Sequence, residues 1–368
     1  MNIFSHRTLI GIILLALSGC QNNNATEILQ TYANRMSNVL EVDINLAIKN
    51  HNSTLLLFPA KRDLTHPLED IRQGVFEVWD FRLCEMLRII SERNSSLGKV
   101  MQHSHRFHYE WRFLDALSAC KKRVAAQLSA IKNKDPADTD FLRRIDSIIA
   151  KKQQLLPRSL WNAVYASDEM MNQFSSGAIP LSPKKRSSAA LDAVEALAQL
   201  PDKINTPTLA PIALKQLDKY YFTLYTEEAG TSLLQGLMIV TETLNRVTKA
   251  IEQRLQSKPF CYPGHTPPEA QILQTVFHQQ YAGNIQPYMA NLQKLTRRLL
   301  LAHQKLTGQL PPTPAMKSYY WHMLSLEHPE APWQRCQLEN QQHIKAWQEI
   351  LGQCGILPKR PDPQNVLN

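Results

Sequence analysis

LLQGLMIVTETLNRVTKAI, residues 233–251, decides the fold. Leu233, Leu237, Val240, Leu244, Val247 and Ile251 recur at steps of four and three, the period of one apolar stripe along an α-helix. A strand would alternate with period two. A stripe this long needs apolar partners on neighbouring helices, and the sequence predicts antiparallel ones.

The same period extends in both directions. Downstream, a Pro-rich loop over 258–268 holds Cys261, and helices are predicted over 269–306, with a break near Gly283 or Pro287, then over 315–326 and 331–351. Upstream, the expected helices are 28–46, a stripe of Phe76, Trp79, Leu83, Leu87 and Ile90 ending near Arg93, then 104–131, 141–156, 159–174 and 189–200. Pro157 is expected to separate two of these, because proline removes one amide donor and crowds the carbonyl four residues back. Leu55-Leu56-Leu57-Phe58 before Pro59 reads as an extended crossing segment. With 12 Gly against 22 Pro, turns depend on proline and polar residues, not on the Asn-Gly hairpins of β proteins. The expected class is all-α, a multi-helix antiparallel bundle formed as one body or as two intimate helical subdomains.

Ser175 to Ser188, reading SSGAIPLSPKKRSS, combines Gly, Ser, Pro and charge and is the expected linker. The predicted organisation is a signal peptide at 1–19, a lipidated tether at 20–27, an N-terminal subdomain at 28–174, the linker at 175–188, a C-terminal subdomain at 189–357 and a tail at 358–368. No internal repeat indicates a solenoid.

The first twenty residues set the expected address. Arg7 precedes an apolar run from Leu9 to Leu17, which is far short of the roughly 20 residues that span a bilayer. Leu17-Ser18-Gly19-Cys20 then matches the box cut by lipoprotein signal peptidase, so Cys20 is the expected lipidation site. Several acyl chains would hold the chain on its membrane permanently. Gln21 in place of Asp after the cysteine implies the inner leaflet of the outer membrane, facing the periplasm. A mean hydropathy of −0.31 excludes a polytopic membrane protein.

A net charge of +9 permits attraction to anionic partners. The charge is scattered in short groups such as Lys121-Lys122-Arg123 and Lys184-Lys185-Arg186, which read as solvated helix faces. Nucleic acid is not an expected partner at this address.

Glu92-Arg93-Asn94-Ser95-Ser96-Leu97-Gly98-Lys99-Val100, with Cys84 upstream and Cys120 downstream, resembles domain-of-unknown-function family 3080, a group of uncharacterised bacterial lipoproteins. Leu156-Pro157-Arg158-Ser159-Leu160-Trp161-Asn162 and Ile285-Gln286-Pro287-Tyr288 echo it. The resemblance implies an address and brings no activity, cofactor or catalytic residue.

Five cysteines remain once Cys20 is lipidated, and the periplasm is oxidising. A helical hairpin turning between Gly98 and His103 would bring Cys84 to Cys120, so this pair is the expected disulfide. Cys336 and Cys354 lie five turns apart on one helix and cannot reach each other, which leaves Cys261 free to pair with either. His103, His105 and His108 share a helix start, but no acidic or thiol ligand stands at matching spacing, and no metal is expected. Glu92, Arg93 and Asn94 at the hairpin tip, with Glu110 on the next helix, form a candidate polar site. No nucleophile elbow, phosphate loop or zinc motif occurs. The six tryptophans fall mostly on helical stripes and read as core. The expected function is therefore a non-catalytic, membrane-tethered structural or interaction role in the envelope. Two alternatives stand beside it: a module binding an anionic or amphiphilic envelope ligand, and an enzyme acting on an envelope polymer.

Overall fold

The structure is a computed structural model that describes residues 24–46, 56–69, 84, 86–129, 136–206, 211–263 and 265–358. Cys20 and the predicted stripe residues Phe76, Trp79 and Leu83 lie outside the described residues. All named elements among the described residues are helices, and one isolated bridge joins Tyr262 to His265.

The chain forms α1 (Ala25–Leu40), a one-turn α2 (Lys61–Leu64), α3 (Leu87–Asn94), a one-turn α4 (Ser96–Lys99), α5 (His103–Ser129) and α6 (Pro136–Tyr165). Then come α7 (Asp168–Gln173), α8 (Ala189–Leu197), α9 (Leu200–Ile204), α10 (Leu214–Thr226), α11 (Gly230–Ser257) and α12 (Pro268–Val276). A π-helical stretch over Phe277–Ile285 runs into α13 (Gln286–Gln309), and a second one, Tyr320–Leu324, follows α14 (Pro314–Tyr319). Helix α15 (Pro332–Gln353) completes the body.

The deciding stripe behaves as its period demands: Leu233, Leu237, Val240, Leu244, Val247 and Ile251 are all buried on α11. Its heaviest packing partner is α15, and that pairing runs parallel. Asn245 bonds Glu339, Thr248 meets His343, and beyond the helix ends Cys261 is bonded to Cys354. Helices α8 and α13 are parallel as well, since Arg298 reaches Asp192 and Glu195 while Lys305 reaches Gln199. Antiparallel packing holds for α5 and α6, where Lys121 pairs with Asp146 and Glu110 with Lys152. Parallel pairs are possible because whole helices, not tight turns, connect their members; the apolar stripe fixes that a partner comes, not its direction.

Pro157 does not divide a helix. It sits inside the continuous α6, between the buried Leu156 and the buried Leu160 and Trp161, so core packing offsets a proline penalty of about 3 kcal/mol. The predicted break near Gly283 is instead a π-helical passage that keeps the rod continuous and turns Tyr281 onto Tyr32 and Trp347. One hydrophobic cluster includes residues from Ala25 to Cys354 and draws on both sides of the 175–188 segment. That segment is docked: Leu181 N–H donates to Ser232, and Asn291 donates to the Lys185 carbonyl. A smaller cluster of Cys84, Met86, Phe113, Leu117, Cys120, Phe141 and Ile145 seals the α5–α6 hairpin beneath α3.

Candidate functional site

The predicted polar residues sit at the tip where α3 turns into α5. Helix α3 ends at Asn94, and Ser95 closes it while opening α4: its hydroxyl donates to the Glu92 carbonyl and accepts from Gly98 N–H at 2.9 Å. Gly98 is required by close approach, because a Cβ there would lie 2.1 Å from the Glu92 carbonyl oxygen. The Arg93 guanidinium donates back to the Gly98 carbonyl. The turn is thus folded tightly on the end of α3, with Leu97, Lys99 and Val100 outside.

This turn forms one wall of a cavity of about 310 Å³. The opposite wall is the extended Thr65–Leu68 segment, held down by the second sequence word of the family. Asn162 accepts from His66 N–H at 2.7 Å and donates to the His66 carbonyl at 2.8 Å, and the Trp161 indole donates to the Leu64 carbonyl. His66 also reaches the Pro311 carbonyl through its ring. The approach to α5 contributes Met101, and its first turn His103 and Arg106.

Three basic side chains, Arg93, Lys99 and Arg106, line the cavity, and no carboxylate does so among its described lining residues. Arg106 is buried and anchored from below, its Nε 2.6 Å from Glu110, whose other oxygen takes Lys152; all three side chains are nearly closed to solvent. Lys152 also lies over the Phe113 ring. A guanidinium anchored by Glu110 and the ammonium of the exposed Lys99 in the same lining suit a phosphate or carboxylate. His103 has its pKa lowered, first by desolvation and then by Lys61, so it is a neutral polar group near pH 7.

The four candidate polar residues are not brought together. Arg93 lines the cavity, Glu92 turns away to pair with Arg112, Asn94 is exposed, and Glu110 is buried beneath Arg106. His103, His105 and His108 form no metal set, and no group of three or more candidate ligands occurs among the described residues. His105 instead meets Asp218 at 3.0 Å. Sequence reading missed Lys99, Arg106, His66 and Asn162 as lining residues of this cavity. Asn162 lay within a quoted family word, but nothing local could indicate that its partner stands 96 residues earlier.

Cys84 and Cys120 are bonded, with Cα atoms 5.1 Å apart, so the bond ties the segment before α3 to the side of α5. Cys261 is bonded to Cys354, and Cys336 is a buried free thiol. No helix among the described residues is long and apolar enough to cross a membrane.

A comparison with protein families matches residues 29–358 to the family described as protein of unknown function (DUF3080). No curated protein and no solved structure gave a match.

Proposed function

We propose, from the premise that this chain belongs to the DUF3080 family, that it is a lipid-anchored envelope protein working by binding an anionic ligand, without catalysis. The observation that carries the reading is the cavity lined by Arg93, Lys99 and Arg106, with no described carboxylate among its walls. The three cations share one open depression, and the guanidinium fork matches two oxygens of one phosphate or carboxylate. The cavity is near the lower end of the roughly 300 to 1,000 Å³ range of ligand sites. It would take a headgroup, a sugar phosphate or a short acidic fragment.

The anchor is Cys20, lipidated within Leu17-Ser18-Gly19-Cys20, and the proposed location is the periplasmic face of the outer membrane. Labelling cells with palmitate tests it: the wild type should carry label and Cys20→Ala should lose both label and membrane retention. Label persisting on that variant would remove the anchor from the reading. For the site, calorimetric titration of detergent-solubilised full-length protein with glycerol 1-phosphate should give binding that weakens with salt. Lys99→Glu should abolish it. Failure of the wild type to bind this and other small anions would overturn the anion reading.

A further inference from the structure

We infer that the ligand of the basic cavity is an anionic glycerophospholipid, its phosphate among Arg93, Lys99 and Arg106 and its acyl chain lying over Leu97, Val100 and Met101. This inference rests on the anion reading above and adds the ligand's apolar half. The α4 turn displays two large aliphatic side chains on one face of a single helical turn: Leu97 is 82% exposed and Val100 is 76% exposed. They stand on either side of Lys99, a lining residue of the cavity. Met101, next in the chain after Val100, lines the cavity itself, and Leu68 adds an apolar side chain on the opposite wall.

Isolated exposed aliphatics are ordinary on protein surfaces. These two differ in being held there by a built turn. Ser95 caps it, Arg93 closes it through the Gly98 carbonyl, and Gly98 permits a backbone approach that no other residue could make. A rigid turn presents both side chains without an ordering cost at binding. A soluble anion would satisfy the cations and leave the apolar side chains wet. A neutral lipid would cover those side chains and bring no anion to Lys99 and the guanidinium groups, and a zwitterionic one would bring its own ammonium against them along with its phosphate. Only a molecule with a net negative head and a contiguous hydrocarbon part matches both halves.

The test uses the full-length protein in detergent, probed by native mass spectrometry with phosphatidylglycerol and phosphatidylcholine and by calorimetry with glycerol 1-phosphate. One phosphatidylglycerol per chain is expected, retained at least about tenfold more strongly than phosphatidylcholine. The Leu97→Ser/Val100→Ser double variant should lose at least about tenfold in phosphatidylglycerol retention while keeping the glycerol 1-phosphate affinity of the wild type. Lys99→Glu should lose both ligands. Circular dichroism and melting temperature of each variant identify one that has failed to fold, and Leu97→Gln with Val100→Thr then repeats the measurement with milder changes. Unchanged lipid retention in a folded double variant, or equal retention of the two lipids, overturns the lipid inference and leaves the anion reading standing. Loss of binding to every anion by the wild type overturns both.

Discussion

Asn162 grips the backbone of His66 on both sides of its Cα, accepting from its N–H at 2.7 Å and donating to its carbonyl at 2.8 Å. The side chain is closed to solvent, so water cannot replace either bond. Asn162→Ala should therefore cost about 2 to 3 kcal/mol, two lost bonds plus the buried groups left unpaired. Asn162→Asp keeps the shape and the acceptor but sets a carboxylate against the His66 carbonyl, and should destabilise as much. Denaturant unfolding reads the cost, and glycerol 1-phosphate titration should show weaker binding because the Thr65–Leu68 wall is loosened. Wild-type stability in Asn162→Asp would mean that the amide donor does not matter.

Gly98 supplies a second test, in which helix propensity predicts the wrong sign. Alanine is favoured over glycine inside a helix by about 1 kcal/mol. Here its Cβ would lie 2.1 Å from the Glu92 oxygen and 2.6 Å from the Arg93 oxygen, both backbone atoms that cannot step aside. Gly98→Ala should lower the melting temperature and weaken anion binding together, while Ser96→Ala, exposed on the same turn, should leave both near wild type. A more stable Gly98→Ala would show that the turn is not closed as described.

How much of this was legible from sequence divides along physical lines. Periodicity is a local property, so the α11 stripe and the all-α class followed from steps of three and four between Leu233 and Ile251. The Cys84–Cys120 bond was legible for a related reason, since a hairpin is the shortest path between two adjacent helices. Direction of packing is not local: Asn245–Glu339 and Thr248–His343 set α11 and α15 parallel, and both contacts span more than ninety residues. The same limit hid the site. Arg93 was identified from the hairpin tip, but His66 and Asn162 reach the cavity only through tertiary folding, and Glu110 faced inward because Lys152 on α6 was there to meet it. Pro157 misled because propensity was weighed without the burial of Leu160 and Trp161.

The thiols make a sharp stoichiometric prediction. Exported, lipidated protein should expose no thiol to iodoacetamide when native and one when denatured, Cys336. Burial raises the Cys336 pKa to about 11, which removes the reactive thiolate in the folded state. In chain-entropy terms the Cys84–Cys120 loop of 36 residues contributes about 4 kcal/mol, and the Cys261–Cys354 loop of 93 contributes between 4 and about 5 kcal/mol. Reductant should therefore lower stability steeply, Cys84→Ser should liberate Cys120, and Cys336→Ser should change little. Three reactive thiols in denatured wild type would mean that one of the two disulfides had not formed, and a single labelled thiol other than Cys336 would mean that another pairing had.

Two buried histidines should make the fold acid-sensitive. His343 lies at the centre of the α1–α11–α15 junction, within hydrogen-bond reach of the Tyr32 hydroxyl at 2.7 Å, the Trp347 indole at 3.1 Å and Thr248 at 2.9 Å. The Trp347 indole also donates to the Tyr32 hydroxyl at 2.9 Å, so Tyr32, Trp347 and the ring form one enclosed polar cluster with no carboxylate partner among the described residues to hold a proton on His343. His303 on α13 meets the Tyr165 hydroxyl through Nδ1 at 2.9 Å and is equally enclosed. Burial lowers the pKa of each to about 3. The unfolded chain, with histidines near 6.5, then binds more protons than the folded one between those values. Their contribution is complete above pH 6.5 and is lost as pH falls toward 3, by roughly 2 kcal/mol for each ring at pH 5. Melting temperature measured from pH 7.5 to pH 4.5 should decline across this window. His303→Phe, which keeps a ring beside Phe174 and cannot take a proton, should flatten about half of that slope, as should His343→Gln at some cost at pH 7.5. A decline that is identical in both variants and the wild type would assign the acid sensitivity to carboxylates instead.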